Sequence, residues 1–192
     1  MSEYASGRSG QTGEDTSELV LRLKAGDEAA FEELVGVYRE RLYRVAWRIL
    51  RDDESAEDAA QEAFIKVYRH IARFQGRSSL YTWMYRITVN IALNKLKRDK
   101  FRSMVPLGDI VRQDRSPRSD PARTTMGLEV VERVKQAVET LPDKQRVVFT
   151  LKFYEGLSHK EIAEVVGCSE GTSKANYFHA VRKLRKQLGD LR

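Results

Sequence analysis

Apolar residues recur at steps of three and four along most of this chain. From Phe31 they fall at Phe31, Leu34, Val35, Tyr38, Leu42, Val45, Ala46 and Ile49, a continuous stripe that predicts one long amphipathic helix. A second stripe, Ala59, Ala63, Phe64, Val67, Tyr68, Ile71 and Phe74, predicts another helix with those residues turned inward. After a break at 75–79, Leu80, Trp83, Met84, Ile87 and Ile91 predict a third. No strand-like alternation of any length occurs. The expected fold class is all-α.

Periodicity begins near Ser17, behind a Ser/Gly-rich stretch at 1–13 that reads as a disordered tail. It fails again from about Asp99 to Thr125, where Pro106, Pro117 and Pro121 stand among Arg, Asp and Ser. That is too long for an ordinary connection inside a compact domain. A flexible linker over 99–127 is expected, joining two small helical domains at 14–98 and 128–192. In the second domain Val130, Val134, Ala137, Val138 and Leu141 predict a helix that stops at Pro142. Val147, Val148, Leu151 and Tyr154 predict the next.

From Gly156 the signals are local and sharp. Ser158 with Glu161 three residues later is a capping-box pair, and Gly167 suits a left-handed helix end. Ser169, two residues on, can cap another helix. Two short helices joined by a tight turn containing glycine form a helix-turn-helix pattern. In its second helix Ser173, Tyr177, Ala180, Val181, Leu184 and Leu188 share a face. The opposite face carries Lys174, Ala175, Phe178, His179, Arg182 and Arg185. Between Gly171 and Gly189 there is no acidic residue, which favours contact with phosphates and base edges over a purely solvated surface.

Composition agrees with a polyanionic partner. Of 192 residues, 32% are charged and 41% apolar, and 34 Lys and Arg against 28 Asp and Glu leave +6. The one cysteine, Cys168, excludes a disulfide framework and a Cys-rich metal site, and no acid–His pair lies near it in sequence to activate it. His70, His159 and His179 are scattered without metal-ligand spacing. The chain has no run of eighteen apolar residues and no signal-peptide pattern at its start, so neither a membrane span nor export is expected.

Charge is unevenly placed within the first domain. Residues 51–62 hold six carboxylates against Arg51 alone, and Asp58, Gln61 and Glu62 share one helix face with Ile65 just beyond. Such a patch either complements the helix dipole or docks a basic protein surface. The third helix is opposite in sign: residues 83–102 hold Arg86, Lys95, Lys97, Arg98, Lys100 and Arg102 against Asp99. Arg86, Asn90 and Asn94 form a line along it. Tyr81, Trp83 and Tyr85 cluster at its start, after the loop of Arg77, Ser78 and Ser79. Aromatic, amide and guanidinium groups beside a basic stripe suit stacking on unpaired bases, although such aromatics also serve as core.

The run AEDAAQEAFIKVYRHI followed by FQGRSSLYTWMYRITVNIALNKLKR resembles region 2 of bacterial sigma factors of the extracytoplasmic-function (ECF) group. The run LPDKQRVVFTLKFYEGLSHKEIAEVVGCSEGTSKANYFHAVRKLRKQL is similar to their region 4. The resemblance implies a factor that initiates transcription and performs no catalysis, with no cofactor, metal or small-molecule substrate. It implies that Asp58, Gln61, Glu62 and Tyr68 dock on the clamp helices of the largest core RNA polymerase subunit. It further implies that Arg86, Asn90, Asn94 and Lys97 hold the melted minus-10 strand, with Arg77, Ser78 and Ser79 placed to take a flipped base. Lys152, Lys174, Ala175, Asn176, Phe178, His179 and Arg182 would meet the minus-35 element. A cytoplasmic location, promoter DNA as partner and control by an anti-sigma factor, often membrane-anchored, follow from the same resemblance. The chain departs from the family at Ser173, where an aliphatic residue is common, at Tyr177, and at Asn176 and His179, near which arginines are usual.

A helix-turn-helix repressor with a helical sensor domain would have no use for an acidic docking face beside an aromatic, basic helix. A helical enzyme would need a constellation of reactive groups that the sequence does not hold. An RNA-binding adaptor remains compatible with the basic and aromatic helix.

Overall fold

The computed structural model of the chain describes residues 13–104 and 125–189, with side chains over 17–101 and 132–189. The expected tail, Gly13 apart, and residues 105–124 of the expected linker lie outside the described residues. Every regular element among the described residues is helical. The helices are α1 (Gly13–Lys24), α2 (Glu28–Leu50), α3 (Asp53–His70), α4 (Leu80–Met104), α5 (Thr125–Glu139), α6 (Asp143–Phe149), α7 (His159–Val166) and α8 (Glu170–Leu188). A 3-10 turn, Ile71–Arg73, follows α3, and a π-helical turn, Thr150–Tyr154, extends α6. Thus α4 runs past Asp99 to Met104 and α5 starts at Thr125, so both ends of the expected linker are helical.

The boundaries follow from cap chemistry. Asp27 accepts from the Ala30 amide at 3.1 Å to start α2, and Asp52 accepts from Ser55 at 2.8 Å to start α3. The Ser158–Glu161 capping box forms in full at α7. Gly167 adopts the left-handed conformation (φ 74°) that ends α7, where a Cβ would cost strain, and the Ser169 side chain accepts from Thr172 to start α8.

Helices α2, α3 and α4 build the amino-terminal bundle around Leu34, Leu42, Val45, Ile49, Ala63, Val67 and Met84, all buried. Tyr68, expected inward, is instead 56% exposed, its ring edge against Phe31. It closes the last outward turn of α3 rather than filling the core. Helices α5, α6 and α8 surround a smaller core of Ala137, Val138, Leu141, Phe149, Ala180 and Leu184.

The two bundles are not independent. Val147, Val148, Leu151, Leu157, Ile162 and Val165 of the carboxy-terminal half are buried in one cluster with the amino-terminal core. Helix α4 lies between α2 and α3 on one side and α7 on the other. It is therefore buried along two stripes, Leu80–Met84–Ile91 and Tyr85–Thr88–Ala92, and open mainly along the strip of Arg86, Asn90, Asn94 and Lys97.

Arg146 is buried at the join. It donates to the carbonyls of Ile49 at 3.0 Å and Leu141 at 3.2 Å, and to Asp143 at 3.0 Å. Burial lowers its pKa and Asp143 pulls it back up. Arg146→Met should leave buried carbonyls and a carboxylate without their donor, costing about 3 kcal/mol. Chemical denaturation should read that loss. An unchanged midpoint would show that water replaces the guanidinium freely.

Candidate polymerase and promoter interfaces

Three solvent-facing strips carry the residues that the sequence singles out. The first runs along α3. Asp58 and Gln61 are exposed, Glu62 is half-buried, and Ile65 and Tyr68 stand out at the end of the same face. The buried side of the helix is mostly Ala56, Ala59, Ala60, Ala63 and Val67, small residues that bring α3 close to its neighbours. Asp58 accepts from Lys95 at 3.2 Å, and Glu62 pairs with Lys66 at 2.9 Å. Exposed pairs of this kind contribute little stability and exchange readily for other cations. Carboxylates beside two large exposed apolar side chains have the composition of a protein-docking patch.

The second strip lies on α4. Arg86, Asn90, Asn94 and Lys97 are all exposed, at helical steps of four, four and three. It adjoins the first strip: Lys95 reaches across to Asp58, and a shallow recess of about 390 Å³ is lined by Glu62, Lys66, Asn94, Lys97 and Arg98. In the preceding loop Arg77 is exposed and Ser78 half-buried. Ser79 has a local role that the sequence reading did not give it. Its hydroxyl accepts from the Thr82 amide at 3.0 Å and bonds the Thr82 hydroxyl at 2.8 Å, capping α4.

The aromatic cluster at the start of α4 does not face solvent as a stacking platform. Trp83 is half-buried against Phe74, with ring centroids 5.2 Å apart. Tyr85 is fully buried and Tyr81 half-buried, and both phenols donate towards Glu155 of the other bundle. Burial, and then the Glu155 charge, push both phenol pKa values well above the usual value. Of the two roles open to these aromatics, stacking and core, Tyr81 and Tyr85 take the second.

The third strip is the outer face of α8. Lys174, Ala175, Phe178, His179 and Arg182 are exposed, while Ser173, Ala180 and Leu184 are buried against the bundle. Two of the expected contact residues are turned to local partners. Asn176 donates to the Thr172 carbonyl at 2.9 Å, and half-buried Lys152 donates to the Leu157 carbonyl at 3.2 Å. Lys174 pairs with Glu170 at 2.7 Å, one turn back. Ser173, buried without remainder, takes His159 of α7 as its partner at 3.0 Å. Burial, then Lys152 and Lys174, hold the His159 pKa below the ordinary histidine value, so the ring is neutral near pH 7. A polar pair thus stands across the helix-turn-helix at the position where this chain departs from the family's usual aliphatic residue.

Among the described residues no cluster of three or more His, Cys, Asp or Glu could hold a metal, and no helix is long and apolar enough to cross a membrane. Cys168 is half-buried in the α7–α8 turn.

Comparison with known proteins adds independent findings. Residues 34–102 match the family model described as Sigma-70 region 2, and residues 132–184 match Sigma-70, region 4. The chain is 35% identical over 189 residues to the RNA polymerase sigma-H factor of Pseudomonas aeruginosa, covering 94% of this chain and 97% of that one. It is 32% identical to the ECF RNA polymerase sigma factor SigW of Bacillus subtilis, covering 90% and 96%. In fold it is similar to the sigma factor RpoE of Bartonella quintana, solved in complex with the anti-sigma factor NepR. The TM-score is 0.70 and the identity 20%, over 83% of this chain and 96% of that one.

Proposed function

The chain belongs to the ECF group of the sigma-70 family and is a factor for promoter-specific initiation of transcription; on that premise we propose how its surface divides the work. Asp58, Gln61, Glu62 and Tyr68, with Ile65, dock on the clamp helices of core RNA polymerase. Arg86, Asn90, Asn94 and Lys97 hold the melted minus-10 strand. The outer face of α8, with Lys174, Ala175, Phe178, His179 and Arg182, reads the minus-35 duplex. Arg77 and Ser78 remain free to meet a flipped base, while Ser79 shapes the loop by capping α4. Asn176 and Lys152 support the backbone near the minus-35 reader rather than reading bases.

The observation that carries this reading is the segregation of three exposed strips of different chemistry on one chain. One is acidic and apolar, one combines amides with guanidinium, and one has no acid. Phosphate contacts position a protein and base-edge contacts specify, so α8 needs both its cations and its Phe178–His179 pair. The chain works in the cytoplasm, without catalysis of its own.

Control by an anti-sigma factor belongs to the same reading. The α3 strip stands exposed in the absence of polymerase, so a partner covering Asp58, Gln61 and Glu62 would compete directly for it. The RpoE fold is known bound to such a factor. Pull-down from unstressed cells should recover one small stoichiometric partner. Recovery of core polymerase subunits alone would defeat the masking idea.

The direct test is reconstitution. The purified chain added to core polymerase should direct run-off transcripts from a discrete set of genomic promoters, and absence of any specific start would overturn the assignment. On a library of minus-35 sequences, His179→Ala should reorder promoter preference by roughly 5- to 100-fold at the affected base, while core binding stays unchanged. An identical ranking would remove His179 from the readout.

A further inference from the structure

The α4 strip does not stop at Lys97. Phe101, four residues further on, lies on the same helical face as Arg86, Asn90, Asn94 and Lys97, inside a helix that runs to Met104. At 72% it is the most exposed of the large apolar side chains described. Exposed Lys97, Arg98 and Lys100 are its neighbours, with half-buried Asp99 the one acid among them, and Lys100 holds Asp143 at 2.5 Å. Lys97 and Arg98 also line the recess beside Asn94. A single surface phenylalanine needs no explanation. One set in register on a face of amides and cations does, because the position gives it no share in the core. Ile65 and Tyr68 stand beside carboxylates, a composition that suits a basic protein surface. Phe101 stands among cations, which suits a polyanion.

We propose, on the assignment of this strip to the melted minus-10 strand, that Phe101 is its stacking platform. The ring lies against an unpaired base while Lys97 and Arg98 meet the phosphates beside it. The aromatic side chains at the start of α4 are committed elsewhere, Tyr81 and Tyr85 to Glu155 and Trp83 to Phe74. Phe101 supplies at the far end of the helix what they do not supply at the near end.

The division of labour follows from the side chains. Arg86, Asn90 and Asn94 offer hydrogen bonds, which choose among base edges. A phenyl ring offers none and accepts the face of any base, so it adds hold without sequence preference. The fifteen residues from Arg86 to Phe101 rise about 22 Å along the helix. About six stacked nucleotides of one strand cover that distance. Arg77 and Ser78, which would meet the flipped base, lie beyond the opposite end of α4, so the stacked base belongs to the other end of the unpaired segment.

The experiment uses holoenzyme formed from the full chain. It is titrated with promoter fragments found by the reconstitution above, their minus-10 segment unpaired by mismatches, with one abasic site moved along the held strand. Wild type should lose roughly 5- to 100-fold in affinity at one abasic position towards the end away from the flipped base. Phe101→Ala should lose the same factor on the intact strand and be indifferent to an abasic site at that position, while keeping the wild-type penalties elsewhere. Phe101→Trp should retain affinity, and Phe101→Leu, apolar without a π face, should behave as alanine does. Core binding and thermal unfolding should be unchanged in all three. If Arg86→Ala with Asn90→Ala weakens binding to the mismatched fragment and Phe101→Ala does not, the strip holds the strand without the ring, and the stacking role is overturned. If neither weakens it, the assignment of the strip falls and the role of Phe101 falls with it. Weaker core binding or a lower melting temperature for Phe101→Ala without DNA would place the ring against polymerase or against the rest of this chain, and would equally overturn it.

Discussion

Replacing Asp58 and Glu62 together by lysine should reduce association with core RNA polymerase about a hundredfold or more, while thermal unfolding stays within a few degrees of wild type. Truncating one partner of a desolvated charge pair costs ~2–5 kcal/mol, and reversal adds repulsion to that loss. The fold should be indifferent for a structural reason. Asp58 is exposed and Glu62 half-buried, and their local partners Lys95 and Lys66 form surface pairs at 3.2 and 2.9 Å of the kind that contributes little. The small side chains that seat α3, Ala56, Ala59, Ala60 and Ala63, are untouched. Ile65→Asp should act in the same direction, because a 51% exposed isoleucine beside the carboxylates supplies apolar area to a partner and little to the core. Binding titrations with core enzyme are the measurement. Wild-type affinity in the double variant would remove the α3 strip from the interface.

How much of this was legible in the sequence depends on how far each signal reaches along the chain. Caps act over three residues, so Ser158–Glu161, Gly167 and Ser169 delimit α7 and α8 as expected. Exposed lines such as Arg86–Asn90–Asn94 survive as well, because helical spacing alone sets which residues share a face. Helix α4 shows where helical spacing stops being enough. One stripe, Leu80–Met84–Ile91, was readable, but Tyr85, Thr88 and Ala92 form a second one, buried because α7 covers it. Spacing that assumes one buried face per helix leaves such residues open to either role, so for Tyr81 and Tyr85 it does not decide between stacking on bases and packing in the core.

The same limit explains the domain picture. A patternless, proline-bearing stretch argues for a tether, and a tether suggests two separate cores. Nothing local in Ile162 or Val165 reveals that they seal against a helix seventy residues earlier. Glu155 is less legible still: an acid after an apolar run reads as a solvated turn, and its donors lie 70 to 107 residues away. Tyr68 was misplaced for a different reason. Its position continues the inward stripe of α3, but the stripe drifts round the helix by that turn, and an amphipathic ring tolerates the outward position.

Arg86→Ala combined with Asn90→Ala should leave binding to duplex promoter within about threefold of wild type and lower open-complex formation on the order of a hundredfold. Unstacking a base costs a few kcal/mol, and the enzyme recovers that cost only if fixed donors and acceptors meet the freed strand. A guanidinium contact is worth ~1.5–3 kcal/mol and a neutral amide contact ~0.5–1.5 kcal/mol, which together give an effect of that size. Both side chains lie on the one open strip of a helix held on two other sides, so they are presented rigidly and lose little entropy on contact. Truncation should not disturb the fold, since neither side chain belongs to the buried core. Permanganate reactivity of minus-10 thymines on reconstituted holoenzyme measures the effect. On a template carrying a preformed mismatch bubble the defect should shrink severalfold, because the cost of unpairing has been removed in advance. Equal thymine reactivity in variant and wild-type holoenzyme, on fully paired DNA, would show that the α4 strip does not hold the melted strand.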